Sequence, residues 1–230
     1  MMNFHYAHNE NCGSASGVVI AIDVLRAFTS AAYAFESGAQ SISLVSSVDE
    51  ALHLKNLHPG WLAMGEVGGL PPKGFDLGNS PTQIRAWDLA GRHLVQRTGA
   101  GTQGVVRSVR AELLLAASFV VASATVQYVR MSLLQDITFL TTGGEKNEED
   151  LACAAYLEAL FQDRSPDPES YIRRVYAAED AACHLDPTRP EFPLSDLGYC
   201  TDIDRFRFAM PVSREDGRLV LRPVEPAQQV

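Results

Sequence analysis

Asp23-Val24-Leu25-Arg26 sets a carboxylate and a guanidinium three residues apart, directly after the apolar run Gly17 to Ile22 (GVVIAI). An acid that can hold a hard cation beside an arginine that can grip an oxyanion suits a metal-bound phosphate. The same four residues also suit a plainer role, with Asp23 capping the next helix and Arg26 paired to it. Gly65-Glu66 and Gly74-Phe75-Asp76-Leu77-Gly78-Asn79-Ser80-Pro81 add two carboxylates, an amide and a hydroxyl within one loop. Oxygen donors of this type hold magnesium, which keeps several waters and needs only one or two carboxylates. The alternative is a loop in which Asp76 and Asn79 close turns and Ser80-Pro81 opens a helix.

Gly99-Ala100-Gly101-Thr102-Gln103-Gly104 formally matches the GxGxxG dinucleotide fingerprint. The next strand ends at Ser118, where that fingerprint would want an acid for the ribose, so the loop reads better as a phosphate cradle. Glycines there let backbone N–H groups approach an oxyanion, and Thr102 adds a hydroxyl. Thr142-Gly143-Gly144-Glu145 with Glu148-Glu149-Asp150 crowds acids around a turn and a helix start. Complementarity to the helix N-terminus explains most of them, and Glu149 or Asp150 is the candidate to face the pocket. Neither the six histidines nor the widely scattered Cys12, Cys153, Cys183 and Cys200 show metal-site spacing, and the cysteines read as reduced structural thiols.

These residues fall at the ends of predicted strands. Gly17 to Ile22 reads as a buried strand that delivers Asp23, followed by a helix from Leu25 to Ser37. Further strands are predicted at Ser41 to Val45, Trp61 to Met64, His93 to Arg97, Leu113 to Ala117 and Ile137 to Thr141. Helices are predicted from a Ser47–Glu50 capping box to Leu57, after the GAGTQG turn, over Glu148 to Phe161 and over Glu169 to Ala182. Phe206 to Val212 and Leu219 to Leu221 flank Glu215-Asp216-Gly217 as a closing hairpin. Alternation of strand and helix predicts a three-layer α/β/α fold with a largely parallel or mixed sheet, and ligands beyond the carboxyl ends of the strands. The chain is read as one domain over 1–230, with two closely packed lobes, about 1–135 and 136–230, as the alternative.

The 230 residues are 46% hydrophobic and 20% charged, enough to bury a large core. A formal charge of −9 disfavours nucleic acid and anionic membranes as partners, so an anionic ligand must meet a local positive site. The N-terminal stretch is polar, and the longest nearly apolar run, Leu113 to Val126, is too short to span a bilayer. A cytoplasmic protein acting on a small molecule is expected, and a homodimer is a reasonable assembly.

Taken in order, IDVLRAFTSAA, GEVGGLPPKGFDLGNSP, TGAGTQG, ASFVVASA and EEDLACAAY resemble the 2-phosphosulfolactate phosphatase family. The likeness runs from about Val18 to Ala155, with a fainter echo at Asp196, Cys200, Asp204 and Met210-Pro211. The resemblance implies an α/β fold peculiar to the family and magnesium-dependent hydrolysis of 2-phospho-3-sulfolactate on a route to coenzyme M. By motif match it implies functional roles for Asp23, Arg26, Glu66, Asp76, Asn79, Ser80, Gly101 and Thr102. The family usually has Thr-Asn-Gly-Thr where this chain reads Gly99-Ala100-Gly101-Thr102, so one polar amide is missing from the cradle.

The expected site therefore has Asp23, Arg26 and Glu66 as catalytic residues, Asn79, Ser80, Gly99, Gly101 and Thr102 on the substrate, and Asp23, Glu66 and Asp76 on magnesium. Attack by water is the preferred chemistry. The alternative, an aspartyl phosphate on Asp23, is the haloacid-dehalogenase mechanism, but the second acid of that motif is replaced here by Leu25. Two other classes stay open at this stage: a non-catalytic anion-binding relative, and a nucleotide-binding oxidoreductase resting on the GxGxxG match.

Overall fold

A computed structural model describes residues 2–143 and 147–227, so Gly144 and Glu145 of the acidic turn lie outside the described residues. Within one parallel group lies β2 (Val18–Ile22), buried at every residue, as an apolar run must be when both faces of a parallel sheet are covered. β2 runs parallel between β6 (Leu113–Ala117) and β7 (Asp136–Thr141), and β1 (Asn3–His8) lies parallel outside β7. A second parallel group consists of β3 (Ser41–Leu44), β5 (His93–Arg97) and β4 (Leu62–Gly65).

The hairpin β8 (Met210–Glu215) and β9 (Arg218–Leu221) joins the two groups, with β8 antiparallel to β6 and β9 antiparallel to β3. Its two-residue turn, Asp216-Gly217, has both φ angles positive (48° and 77°), which matches the twist of paired strands. The resulting order among the described residues is β1-β7-β2-β6-β8-β9-β3-β5-β4. Segments before and after residue 135 are thus interleaved in one sheet.

The helices are α1 (Ala27–Glu36), α2 (Val48–Leu57), α3 (Pro81–Ile84), α4 (Gly101–Arg107), α5 (Ala122–Arg130), α6 (Glu148–Phe161), α7 (Pro168–Ala177), α8 (Ala182–Leu185) and α9 (Ser195–Cys200). The expected three-layer α/β architecture with a mixed sheet is borne out. Its main core includes Ile20, Ile22, Phe28, Tyr33, Phe119 and Phe139, all essentially inaccessible. Among the described residues no helix is long and apolar enough to cross a membrane.

Three local readings change, the first being that the closing hairpin's leading strand runs Met210–Glu215 and not Phe206 to Val212. The segment predicted as one helix from Glu169 to Ala182 is α7 and α8 with a turn between, because Ala178 adopts an extended conformation at ψ 151°. β1 was not predicted, because NFHYAH on a half-exposed edge lacks the apolar run of an inner strand. At α2, Ser47 accepts the Glu50 N–H at 3.1 Å as a capping box requires, while the Glu50 carboxylate reaches back to the N–H of Ser46.

Candidate active site

Asp23 stands where β2 ends. Its Oδ1 accepts the N–H of Ala27 at 2.7 Å, the first residue of α1, and its Oδ2 accepts the hydroxyl of Thr142 at 3.3 Å. Thr142 follows β7, and its own N–H donates to Asp150 Oδ2 at 3.1 Å. Asp150 Oδ1 accepts the N–H of Val24 at 2.9 Å, so one carboxylate at the start of α6 ties together the ends of β2 and β7. Helix capping and pocket formation, separate readings of Asp23 and Asp150 in the sequence, are here the same contacts.

The charges at this sheet end are costly. Burial pushes Asp23 up to about 6, opposed by the Ala27 hydrogen bond and reinforced by the charge of Glu66. Burial also lifts Glu149 to about 7, with the charges of Asp180 and Asp23 adding to the effect. Asp150 is raised well above the usual carboxylate range, first by burial and then by Asp23.

Glu66 follows β4 and accepts the N–H groups of Gly99 and of Gly69, the latter at 2.8 Å. It can sit there because Gly65, at φ +129°, lies so close to β5 that a Cβ would be 1.9 Å from the Arg97 carbonyl oxygen. The loop after β5 then passes between the two carboxylates. A Cβ on Gly99 would stand 3.2 Å from Glu66 Oε1, and one on Gly101 would stand 2.7 Å from Asp23 Oδ2 and 2.8 Å from the Ala27 Cβ. Asp23, Glu66, Gly99 and Gly101 are therefore brought together.

Thr102 is fully buried and works within that loop. Its hydroxyl accepts the Thr98 N–H at 2.9 Å and donates to the Thr98 carbonyl at 3.1 Å, while its N–H donates to the Thr98 hydroxyl at 3.0 Å. Gly104, the last glycine of the formal dinucleotide match, is a packing residue, since a Cβ there would stand 2.6 Å from Asn9 Oδ1.

Arg26 is buried, and its Nη1 donates to Asp196 Oδ2 at 2.6 Å and to the Glu191 carbonyl at 3.1 Å. Its guanidinium also lies over the ring of Phe192, 4.6 Å from the centroid. Asp196 Oδ1 receives the hydroxyl of Ser80 at 2.9 Å and the N–H of Thr82 at 2.9 Å, so Arg26 and Ser80 meet on one carboxylate of α9. Ser80 also caps α3 through the N–H of Gln83. Next to it, Asn79 is buried and its Oδ1 has no partner among the described residues.

Asp76, expected on a metal, is held elsewhere. Its Oδ1 pairs with Lys55 Nζ at 2.7 Å and its Oδ2 accepts the N–H of Ala63 at 2.8 Å, which fixes the loop against α2 and β4. The residues not picked out from sequence are Thr142 as the partner of Asp23, Phe192 and Arg189. Asp196 was visible only as part of the family resemblance.

The donor set suits a hard cation. Asp23 and Glu66 offer carboxylate oxygens, and the buried Asp23 is short of positive charge, as its raised pKa records. Among the described residues no three His, Cys, Asp or Glu side chains converge as a complete metal cage. Magnesium needs none, since one or two carboxylates with substrate and water complete its shell.

The 2-phosphosulpholactate phosphatase family model matches residues 4–213. A Bacillus subtilis (strain 168) protein named probable 2-phosphosulfolactate phosphatase is 31% identical over 217 residues, covering 94% of each chain. A protein of the same name from Carboxydothermus hydrogenoformans is 31% identical over 88% of this chain and 89% of its own. Another, from Thermus thermophilus, is 36% identical over 71% of this chain and 70% of its own. With the family pattern spread over almost the whole length and its Asp23, Glu66 and glycine-loop motifs gathered at one end of the sheet, the chain belongs to the 2-phosphosulpholactate phosphatase family of phosphoric monoester hydrolases.

Proposed function

We propose that this protein is a magnesium-dependent phosphatase that hydrolyses a small anionic phosphate monoester, 2-phospho-3-sulfolactate or a related phosphorylated 2-hydroxy acid. The observation that carries the reading is the Gly99 to Gly101 loop drawn between the carboxylates of Asp23 and Glu66. Asp23 and Glu66 would hold the magnesium, which when bound neutralises charge on the phosphoryl oxygens. The absence of side chains at Gly99 and Gly101 lets the loop lie directly against the two carboxylates that would hold the cation, and Thr102 holds its shape through Thr98.

Arg26, fixed by Asp196 at Nη1, serves the phosphate with the rest of its guanidinium. Ser80 is held by the same carboxylate, with the buried Asn79 beside it. Water attacks phosphorus in line, a new P–O bond forms, and the bond to the ester oxygen breaks. Glu149, buried and close enough for its charge to act on Asp23, would take the proton of the water, and the ester oxygen takes a proton from solvent water and leaves as the alcohol. Leu25 in place of a second acid favours water over Asp23 as nucleophile. The acidic balance supports a small-molecule substrate and a cytoplasmic site of action, with a homodimer as the expected assembly.

The test is a phosphatase screen across small phosphorylated acids, with magnesium and with excess chelator. Hydrolysis that stops with chelator is expected. Undiminished turnover in chelator removes the metal, and no turnover with any ester leaves a non-catalytic anion-binding relative.

A further inference from the structure

The segment between α8 and α9 brings a second arginine to the site. Arg189 lies over the same ring of Phe192 as Arg26, its guanidinium carbon 4.3 Å from the centroid against 4.6 Å for Arg26. Two cations so close to one ring centre are within about 9 Å of each other. Phe192 also touches the catalytic loop: a Cβ on Gly69 would stand 2.3 Å from its Cζ, and the N–H of Gly69 is bound to Glu66. The ring is thus wedged between the Glu66 turn and the Arg26 anchor.

The two arginines differ in access. The Arg26 side chain is 3% exposed, while that of Arg189 is 38% exposed. Arg189 is nevertheless held, with Nε 3.1 Å from Glu191 Oε1 and Nη1 3.1 Å from Cys183 Sγ. A guanidinium fixed by a ring, a carboxylate and a thiol loses less side-chain entropy on meeting a ligand than a free surface arginine does. In a chain of net charge −9, a substrate with more than one anionic group requires such local positive points.

We propose that Arg189 is the specificity-determining receptor for a second anionic group on the substrate, a carboxylate or a sulfonate, while Arg26 serves the phosphate. The inference rests on the phosphatase reading of the site and adds the residue that selects, among phosphate monoesters, those carrying a further strong acid a few bonds from the ester oxygen. The plainer alternative is that Arg189 and Glu191 form a surface ion pair that only shapes the loop.

The test compares wild type, Arg189→Gln and Arg189→Lys on 2-phosphosulfolactate, phospholactate and phenyl phosphate. Arg189→Gln is expected to lower kcat/KM for 2-phosphosulfolactate by about 10- to 100-fold, chiefly through KM, and at least about tenfold more than for phenyl phosphate. Arg189→Lys should restore part of that selectivity. A fall shared by phospholactate assigns the carboxylate to Arg189, and a fall confined to 2-phosphosulfolactate assigns the sulfonate. Equal losses on all three esters, or none, overturn the receptor.

Calorimetric binding of 3-sulfolactate, which needs no turnover, gives the second readout: about tenfold weaker binding in Arg189→Gln is expected, and equal binding overturns the proposal. If wild type hydrolyses none of the esters yet binds 3-sulfolactate through Arg189, the phosphatase reading fails and the receptor stands.

Discussion

Arg26 and Asp196 form an ion pair at 2.6 Å in which the side chains are 3% and 0% exposed. The pair joins the residues just after β2 to α9, and Asp196 also holds Ser80 and Thr82. Removing one partner of a buried pair leaves the other charge without compensation, so Asp196→Ala is expected to cost about 3–5 kcal/mol in urea unfolding. The double variant Arg26→Met with Asp196→Leu should recover much of that loss while remaining inactive. A cost below about 1 kcal/mol for Asp196→Ala would show that the pair does not anchor the segment.

Arg26→Lys keeps a positive charge but loses the planar fork that holds Asp196 and, in the proposed function, would also serve the phosphate. Its kcat/KM is expected to fall by about 10- to 1000-fold. Free substitution by lysine would reduce Arg26 to a structural residue.

Asp23 has its pKa raised from 3.8 to about 6. The folded protein therefore binds this proton more tightly than the unfolded chain, so the contribution favours folding at low pH and is lost as pH rises from about 4 to about 6. A magnesium ion held as proposed would compete with the same proton. The rise in Tm on adding magnesium should thus grow between about pH 5 and pH 7, and Asp23→Asn should abolish it along with most activity. A shift that is independent of pH, or that survives in the Asn variant, would take Asp23 off the metal.

Gly101 has no positive φ, so its backbone accepts alanine, and the cost of Gly101→Ala is steric. The new methyl would press on Asp23 Oδ2 and Ala27. Overpacking of this kind costs about 1–3 kcal/mol, and displacement of the carboxylate should lower kcat by at least about tenfold. Full turnover with reduced stability would separate the loop from the chemistry.

Asp76 gives the contrast, because its charge is already met by the ammonium of Lys55 at 2.7 Å. Asp76→Ala is expected to lose about 1–3 kcal/mol of stability while the magnesium concentration for half-maximal activity stays the same. A marked rise in that concentration would return Asp76 to the metal.

Much of this arrangement could be read from sequence wherever a local signal exists. Val18 to Ile22 and Leu113 to Ala117 are apolar runs, which a strand covered on both faces requires, and the acids that follow β2 and β4 stand where such sheets collect ligands. β1 escaped because its pairing begins with Asn3 opposite Asp136, a partner more than a hundred residues away. Side-chain partners were hidden for the same reason: nothing near Arg26 points to Asp196, and nothing near Asp76 says that its partner is the ammonium of Lys55 and not a metal ion. Phe192 and Arg189 lie in a stretch without periodicity, and only the folded chain stacks them beside Arg26.

The hairpin between the two parallel groups also governs the order in which the protein can be made. Asp23 follows a strand in one group and Glu66 a strand in the other, and within the sheet the groups are linked only through β8 and β9 among the described residues. Chains emerge from the ribosome N-terminus first, and pairings between distant segments form slowly. A nascent chain halted before Met210 would already contain every residue named in the site, yet its two half-sheets would have no strand between them to set the distance from one carboxylate to the other.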